Sequence, residues 1–133
     1  MVDMLHNRIM NKVTITINNV SLTATISDTA AGKDFLSRLP KDFKLKDIEG
    51  FDEKVSDLDY SPNTEDMDYE EEIIAGDIAY YNPKDLPDCT LVLYAGAKGK
   101  WPGIFNIGHF DTEDYKKVLL PKNSSLVAKV KKA

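Results

Sequence analysis

Residues 75–83, AGDIAYYNP, and residues 89–94, CTLVLY, are the stretch from which the fold is predicted. Both segments are rich in β-branched and aromatic residues, which are enriched in strands. Residues 84–88, KDLPD, lie between them and are typical of a turn. The sequence therefore predicts a β-hairpin at the centre of the chain.

Apolar and polar residues alternate on both sides of this hairpin, which is the pattern of half-buried strands. Residues 12–17 and 20–27 alternate in this way around Asn18-Asn19, a pair that tolerates the positive φ angles of a two-residue turn. This pattern predicts an opening hairpin. Further strands are predicted around Phe43 and Leu45, and at residues 54–58, 104–109 and 126–131.

Two short helices are predicted, one after the second strand and one after the seventh. A proline ends each pattern, at Pro40 and at Pro121. Apolar residues recur at helical spacing in the first helix, so one of its faces is expected to pack on the core. That face comprises Ala31, Phe35, Leu36 and Leu39; the candidate N-caps are Asp28 or Thr29 for the first helix and Asp111 or Thr112 for the second.

Eight strands in so short a chain must form two layers or close on themselves to remove their edges. We predict closure. The expected fold is mainly β, a closed or nearly closed eight-stranded barrel with two short helices, and the first helix is expected to cover one opening of the barrel.

Length and composition predict one globular domain, because 133 residues with 42% hydrophobic and 29% charged side chains are ordinary for that class. We expect residues 1–11 to be a flexible tail and residues 12–133 to be the domain. No run reaches the roughly 18 apolar residues that a membrane helix needs, and the first residues are too polar for a signal peptide. These features, with the lone Cys89, predict a cytoplasmic protein that has no membrane partner.

The net charge of −5 argues against nucleic acid as a partner, since non-specific binding to it needs a basic surface. Charge is also uneven, because residues 55–77 hold nine carboxylates and neither lysine nor arginine. This run lacks the glycine and ligand spacing of a calcium loop, so we favour a solvated acidic loop over a cation-binding lid. Residues 57–72 are expected to be a long, loosely packed connection without regular structure.

Motifs for cofactors and metals are not found in the sequence. Gly99-Lys100 is followed by Trp101 instead of the serine or threonine of a phosphate-binding loop. His6 lies in the predicted tail, so a two-histidine metal site with His109 is not expected. The sequence therefore predicts no cofactor and no metal.

Three stretches resemble a known family: residues 33–40 (KDFLSRLP), residues 75–83 and residues 107–111 (IGHFD). With the strand order, they are similar to the small bacterial and archaeal cyclophilin-like domains, which share the barrel of the peptidyl-prolyl isomerases. The resemblance implies a cyclophilin-type barrel but no defined activity, because a shared fold does not establish shared chemistry.

The isomerases of this fold, as the resemblance implies, use an arginine that donates to the proline nitrogen beside an aromatic pocket. This chain has two arginines, Arg8 in the predicted tail and Arg38 in the first helical stretch, and neither is expected on a barrel strand. The sequence therefore predicts a domain without isomerase activity.

Three classes of function remain, and we favour a module that binds a small molecule or peptide. Its pocket is expected on the barrel surface or mouth, lined by Tyr81, Trp101, Phe105 and His109, since aromatic side chains offer large contact areas. The second class is an isomerase or other small enzyme, in which His109 is a general acid or base oriented by Asp111, although Asp111 is better explained as a helix cap. No catalytic residue is assigned. The third class is a protein-interaction domain, beside flavodoxin-like proteins with which similar domains are associated.

Overall fold

The computed structural model describes residues 11–65, 67–84, 89–96, 99–122 and 125–133. Most of the predicted tail, residues 1–10, lies outside the described residues, as does most of the central hairpin link, residues 85–88. The described residues contain two helices and a 3₁₀ turn: α1 (Ala30–Ser37), the turn Glu113–Tyr115 and α2 (Lys116–Leu119). The strands are β1 (Lys12–Ile17), β2 (Val20–Ile26), β3 (Lys41–Asp47), β4 (Glu53–Asp57), β5 (Glu70–Ile73), β6 (Asp77–Tyr81), β7 (Thr90–Tyr94), β8 (Gly99–Pro102), β9 (Ile104–Phe110) and β10 (Leu126–Lys132).

Eight of these strands close into a barrel in the order β1-β10-β3-β4-β7-β6-β9-β2, and all the pairings are antiparallel. The prediction of a mainly β fold with a closed eight-stranded barrel is therefore confirmed. Alternate residues of each strand point inward, because successive side chains in a strand lie on opposite faces. The largest side chains that are fully buried there include Tyr80, Phe43, Phe110 and Ile15.

The opening hairpin follows the predicted register, with Ile17 opposite Val20. Asn18 and Asn19 have φ angles of 50° and 65°, the left-handed conformations that a two-residue hairpin turn requires. The polar pair thus sets the register that places the apolar residues of β1 and β2 inside the barrel.

Helix α1 begins at Thr29, whose side-chain oxygen accepts a hydrogen bond from the Gly32 amide at 3.0 Å. Phe35 is fully buried and its ring stacks on Phe43 at 5.8 Å between centroids. Leu36 and Leu39 pack against the same core cluster. The apolar face predicted for this helix therefore contacts the barrel core.

Strands β5 and β8 form a second, two-stranded sheet that the sequence patterns did not predict. We expected residues 57–72 to lack regular structure, but Glu70, Glu71 and Glu72 belong to β5 and pair with β8 in register. The sequence of β5 is three glutamates followed by Ile73, its one buried residue, so apolar and polar residues do not alternate in it. Strand β8 contains glycine and proline, which are depleted in strands. Ile73 belongs to a second apolar cluster with Val55, Ala79, Val92, Tyr94 and Ile104, on the outer face of the barrel.

The buried amine of Lys54 links the barrel wall to the chain after α2. The Lys54 amine is fully buried, donates to the Asp47 carboxylate and donates to the Pro121 carbonyl oxygen at 2.8 Å. A buried charge of this kind is tolerated only when it is paired and hydrogen-bonded, and both conditions hold here. Separately, no helix in the described part of the chain is long and apolar enough to cross a membrane.

Candidate functional site

A cavity of about 350 Å³ lies on the outer face of the barrel. Its floor is formed by side chains that point away from the barrel core on neighbouring strands. Val55 of β4 lies opposite Val92 of β7, and Tyr81 of β6 lies opposite Ile104 of β9. Trp101 of β8 closes one side. The remaining lining residues are Lys46, Ile48, Phe51, Glu53, Asp57 and Thr90.

Two aromatic residues of the lining are exposed to solvent. Phe51 is 47% exposed and Trp101 is 36% exposed, whereas Val55, Val92 and Ile104 are buried. The Trp101 ring contacts Tyr94 edge to face, with centroids 6.0 Å apart. It also covers Gly99 so closely that a Cβ atom there would lie 2.1 Å from the ring, so only glycine fits beneath it. The Trp101 ring is thus packed against Tyr94 and Gly99 while part of its surface is exposed to solvent.

The charged residues of the lining differ in how they are paired. The Lys46 amine donates to the Asp57 carboxylate at 3.0 Å, so these two charges compensate each other. Glu53 is half-buried, and within the described ranges its carboxylate forms neither a hydrogen bond nor an ion pair. Burial raises the pKa of the Glu53 carboxyl above its usual value. Glu53 is therefore the uncompensated carboxylate of this cavity.

His109 is oriented by Asp77 and not by Asp111. Its Nδ1 atom lies 2.7 Å from an oxygen of the buried Asp77 carboxylate, whose other oxygen accepts from the Ile74 amide at 2.8 Å and the Asn106 amide group at 2.9 Å. Asp111 instead accepts from Thr25 Oγ1 at 2.6 Å and Lys12 Nζ at 2.8 Å.

Asp111 therefore neither orients His109 nor caps the second helical segment. Thr112, the other candidate, is the N-cap of the 3₁₀ turn that precedes α2. Asp111 and His109 are two residues apart, but β9 ends at Phe110, so the strand geometry that would keep them on one face does not continue to Asp111.

Of the four residues predicted to line one pocket, the structure brings two together. Tyr81 and Trp101 line the outer-face cavity. Phe105 points into the barrel, opposite Tyr80, and lines a separate polar cavity where its ring meets Tyr69 at 6.1 Å. His109 is exposed and is not among the residues that line the outer-face cavity. A role in ligand binding remains a prediction for each of the four.

The sequence analysis missed Val55, Val92, Ile104, Phe51 and Glu53. A signal for Val92 exists, because β7 reads TLVLY and a strand with little polar alternation is typical of one buried on both faces. Phe51 follows Gly50, whose φ is 86°, in a turn whose only sequence signal is that glycine, and Glu53 is the first residue of β4 after this turn. For metal binding, no cluster of three His, Cys, Asp or Glu side chains was found among the residues that the structure describes.

Arg38 lies away from the outer-face cavity. Its guanidinium forms two hydrogen bonds to the Asp34 carboxylate, at 3.2 and 3.1 Å, and lies 3.6 Å from the centre of the Tyr60 ring. The guanidinium is thus already engaged by a carboxylate and an aromatic face.

A family model described as the cyclophilin-like family matches residues 15–131. The match begins in β1 and ends in β10, so it includes residues of all eight barrel strands. No curated protein and no solved structure matches the chain. The chain belongs to the cyclophilin-like family.

Proposed function

Because the chain belongs to the cyclophilin-like family and carries an apolar cavity on its barrel wall, we propose that it is a binding module for a small molecule or peptide. An apolar group of the ligand occupies the cavity between Trp101 and the outward-facing side chains of β4, β6, β7 and β9. Ligand sites in proteins are mostly apolar clefts with a few polar groups that fix orientation, and this cavity has that composition.

The exposed aromatic rim above a buried apolar floor is the observation that carries the proposal. Phe51 and Trp101 both expose more than a third of their surface beside the buried side chains of Val55, Val92 and Ile104. Covering apolar surface is favourable by about 25 cal/mol per Å². A ligand that fills the cavity and covers both rings gains this free energy without rearranging the barrel.

The lone tryptophan of the chain is Trp101, so selectively excited tryptophan emission reports on this cavity. We expect 2-phenylethanol, a neutral aromatic probe, to shift the tryptophan emission in a saturable manner. A ligand at 100 times its dissociation constant also stabilises the folded state by about 2.7 kcal/mol, which thermal denaturation detects.

A cavity-filling variant tests the location. Thr90→Phe places a ring in the lining and is expected to weaken binding of the probe, whereas Val127→Phe, on the exposed side of β10, is expected to leave it unchanged. Failure of the probe to saturate the fluorescence change, or equal binding by both variants, contradicts the proposal.

The same proposal includes the absence of prolyl isomerase activity. It is supported by the position of Arg38, whose guanidinium is held by Asp34 and Tyr60. The charged groups that line the cavity are Lys46, Glu53 and Asp57, so the planar donor that the isomerases use is not among the described lining residues.

A further inference from the structure

We infer that the cavity is selective for a small amine, whose ammonium group binds the Glu53 carboxylate while its apolar part lies against Trp101. This inference rests on the proposed binding function and specifies the chemistry of its ligand.

The position of Glu53 provides the first argument. In β4 it lies two residues before Val55, so the two side chains are on the same, outward face of the strand. Both residues line the cavity, and Glu53 is half-buried there among apolar neighbours. The carboxylate is therefore directed to the space that a ligand occupies.

The charge balance of the lining provides the second argument. Lys46 is paired with Asp57 at 3.0 Å and not with Glu53. A half-buried carboxylate loses hydration that an opposite charge or a hydrogen-bond donor replaces. Within the part of the chain that the structure describes, no side chain supplies that donor to Glu53. A ligand ammonium group supplies both the positive charge and the donor.

The charges around Tyr94 also support a cationic ligand. Tyr94 is the cross-strand partner of Glu53, and burial, followed by the negative charges of Glu53 and Asp52, raises the pKa of its hydroxyl group. Lys122 lies 3.8 Å from Asp52, but both side chains are exposed, so solvent screens that pair. The potential beside the cavity is thus negative and favours a cation.

The aromatic ring of Trp101 adds a second source of attraction for a cation. Tyr94 is a neighbour of both Glu53 and Trp101. Glu53 is its cross-strand partner, and the centroids of the Tyr94 and Trp101 rings are 6.0 Å apart. A cation over a tryptophan face is attracted by the quadrupole of the ring. A carboxylate close to an exposed indole is therefore a combination that an aromatic amine fits better than its neutral or anionic analogue.

Three probes of one shape separate charge from apolar contact: 2-phenylethylamine, 2-phenylethanol and 3-phenylpropanoate. In tryptophan fluorescence titrations, we expect the amine to bind about tenfold more tightly than the alcohol, in line with the strength of hydrogen bonds to charged groups. The carboxylate probe is expected to bind most weakly. Added salt is expected to weaken binding of the amine but not of the alcohol, because screening acts on charge.

Glu53→Gln is the decisive variant, and Glu49→Gln is its control, since Glu49 is exposed and outside the lining. We expect Glu53→Gln to abolish the preference for the amine while the affinity for the alcohol is retained, and Glu49→Gln to preserve both. The salt comparison on the unaltered protein gives an independent result if Glu53→Gln does not fold.

The outcomes distinguish the two proposals. Equal binding of amine and alcohol by the unaltered protein, or an unchanged preference in Glu53→Gln, overturns the inference about Glu53 but leaves the cavity as a binding site. If neither probe binds, the proposed function fails and the selectivity fails with it.

Discussion

At the scale of single residues, a chain of hydrogen bonds links the barrel core to the connection before β5. The Tyr80 and Tyr60 hydroxyl groups are 2.8 Å apart, and Tyr80 donates to the Asp34 carboxylate at 3.3 Å. Asp34 is in turn held by Arg38, whose guanidinium lies over the Tyr60 ring. These four side chains thus join α1, β6 and the residues after β4 through contacts that are satisfied within the protein.

Removing the Tyr80 hydroxyl group tests how much these hydrogen bonds stabilise the folded protein. Tyr80 is fully buried, and Tyr80→Phe leaves the Tyr60 hydroxyl without a partner, so we expect a loss of about 1–3 kcal/mol in the free energy of unfolding. Urea denaturation measures it. Tyr81→Phe is the matched control because Tyr81 is half-exposed, and an equal loss in both variants contradicts a role for the hydrogen bond.

The same tyrosines predict how stability depends on alkaline pH. Burial raises the pKa of Tyr60 from 10.0 to about 12, and burial also raises the pKa of Tyr80. A group whose pKa is raised on folding contributes stability that is fully present below its unfolded pKa and is lost as pH rises toward the folded pKa. We therefore expect the free energy of unfolding to fall between pH 10 and about 12.

Tyr60→Phe removes one of the tyrosines whose pKa is raised on folding, so the unfolding free energy of this variant is expected to fall less steeply over the same interval. Denaturant titrations at several pH values provide the measurement. An identical pH dependence in Tyr60→Phe and the unaltered protein is the result that rules out this contribution.

At the scale of secondary-structure elements, helix α1 owes its position to Phe35. The ring stacks on Phe43 and meets Tyr80 edge to face at 6.2 Å, and it is fully buried. Phe35→Ala is expected to cost about 3–5 kcal/mol of unfolding free energy, because truncation leaves a cavity beneath the helix. Lys33→Ala, an exposed position of the same helix, should change stability by less than about 0.5 kcal/mol. A small effect of Phe35→Ala would mean that the core closes around the missing ring.

The elements predicted correctly are those whose sequence pattern is local. Alternation identified β1 and β2, the asparagine pair their turn, and Thr29 with Pro40 the limits of the first helix. Strands β5 and β8 carry no such pattern. Their position depends on tertiary contacts, for example the hydrogen bond that the Glu71 carboxylate accepts from the Asn106 backbone amide at 2.9 Å. Contacts between distant parts of the chain are not visible in local periodicity.

The candidate site was predicted in part for a related reason. Aromatic character drew attention to Tyr81 and Trp101, which line one cavity in the structure. It did not show on which face of a strand an aromatic residue lies. Phe105 pairs with Tyr80 inside the barrel while its neighbour Ile104 pairs with Tyr81 outside, so a single step in register separates core from site.

At the scale of the whole molecule, the barrel carries two apolar clusters on opposite faces of one wall. The inner cluster fills the closed barrel, and the outer cluster lies between β4, β6, β7, β9 and the small sheet of β5 and β8. Closure removes the strand edges, so the fold does not depend on the outer surface being filled. The proposed binding of a ligand in this cavity would therefore leave the core that stabilises the barrel intact.

The arrangement of the whole chain also bears on prolyl isomerisation. Rotation about a peptidyl-prolyl bond faces a barrier of about 18–20 kcal/mol, and a catalyst must favour the twisted amide over the planar one. The isomerases, as the family resemblance implies, do so with a guanidinium that donates to the proline nitrogen. Here the Arg38 guanidinium is bound to Asp34 and Tyr60 beside α1, so reaching the outer-face cavity would require breaking those contacts.

We therefore expect the protein to leave the isomerisation rate of a proline tetrapeptide at its uncatalysed value, in an assay that includes an active cyclophilin as a positive control. Lys46 carries a positive charge in the cavity but lacks the planar fork of arginine and is paired with Asp57. An acceleration that disappears in Arg38→Lys would contradict this expectation, because that substitution keeps the charge and removes only the guanidinium geometry. An acceleration that persists in Arg38→Lys but disappears in Trp101→Ala would instead place catalysis in the outer-face cavity without an arginine.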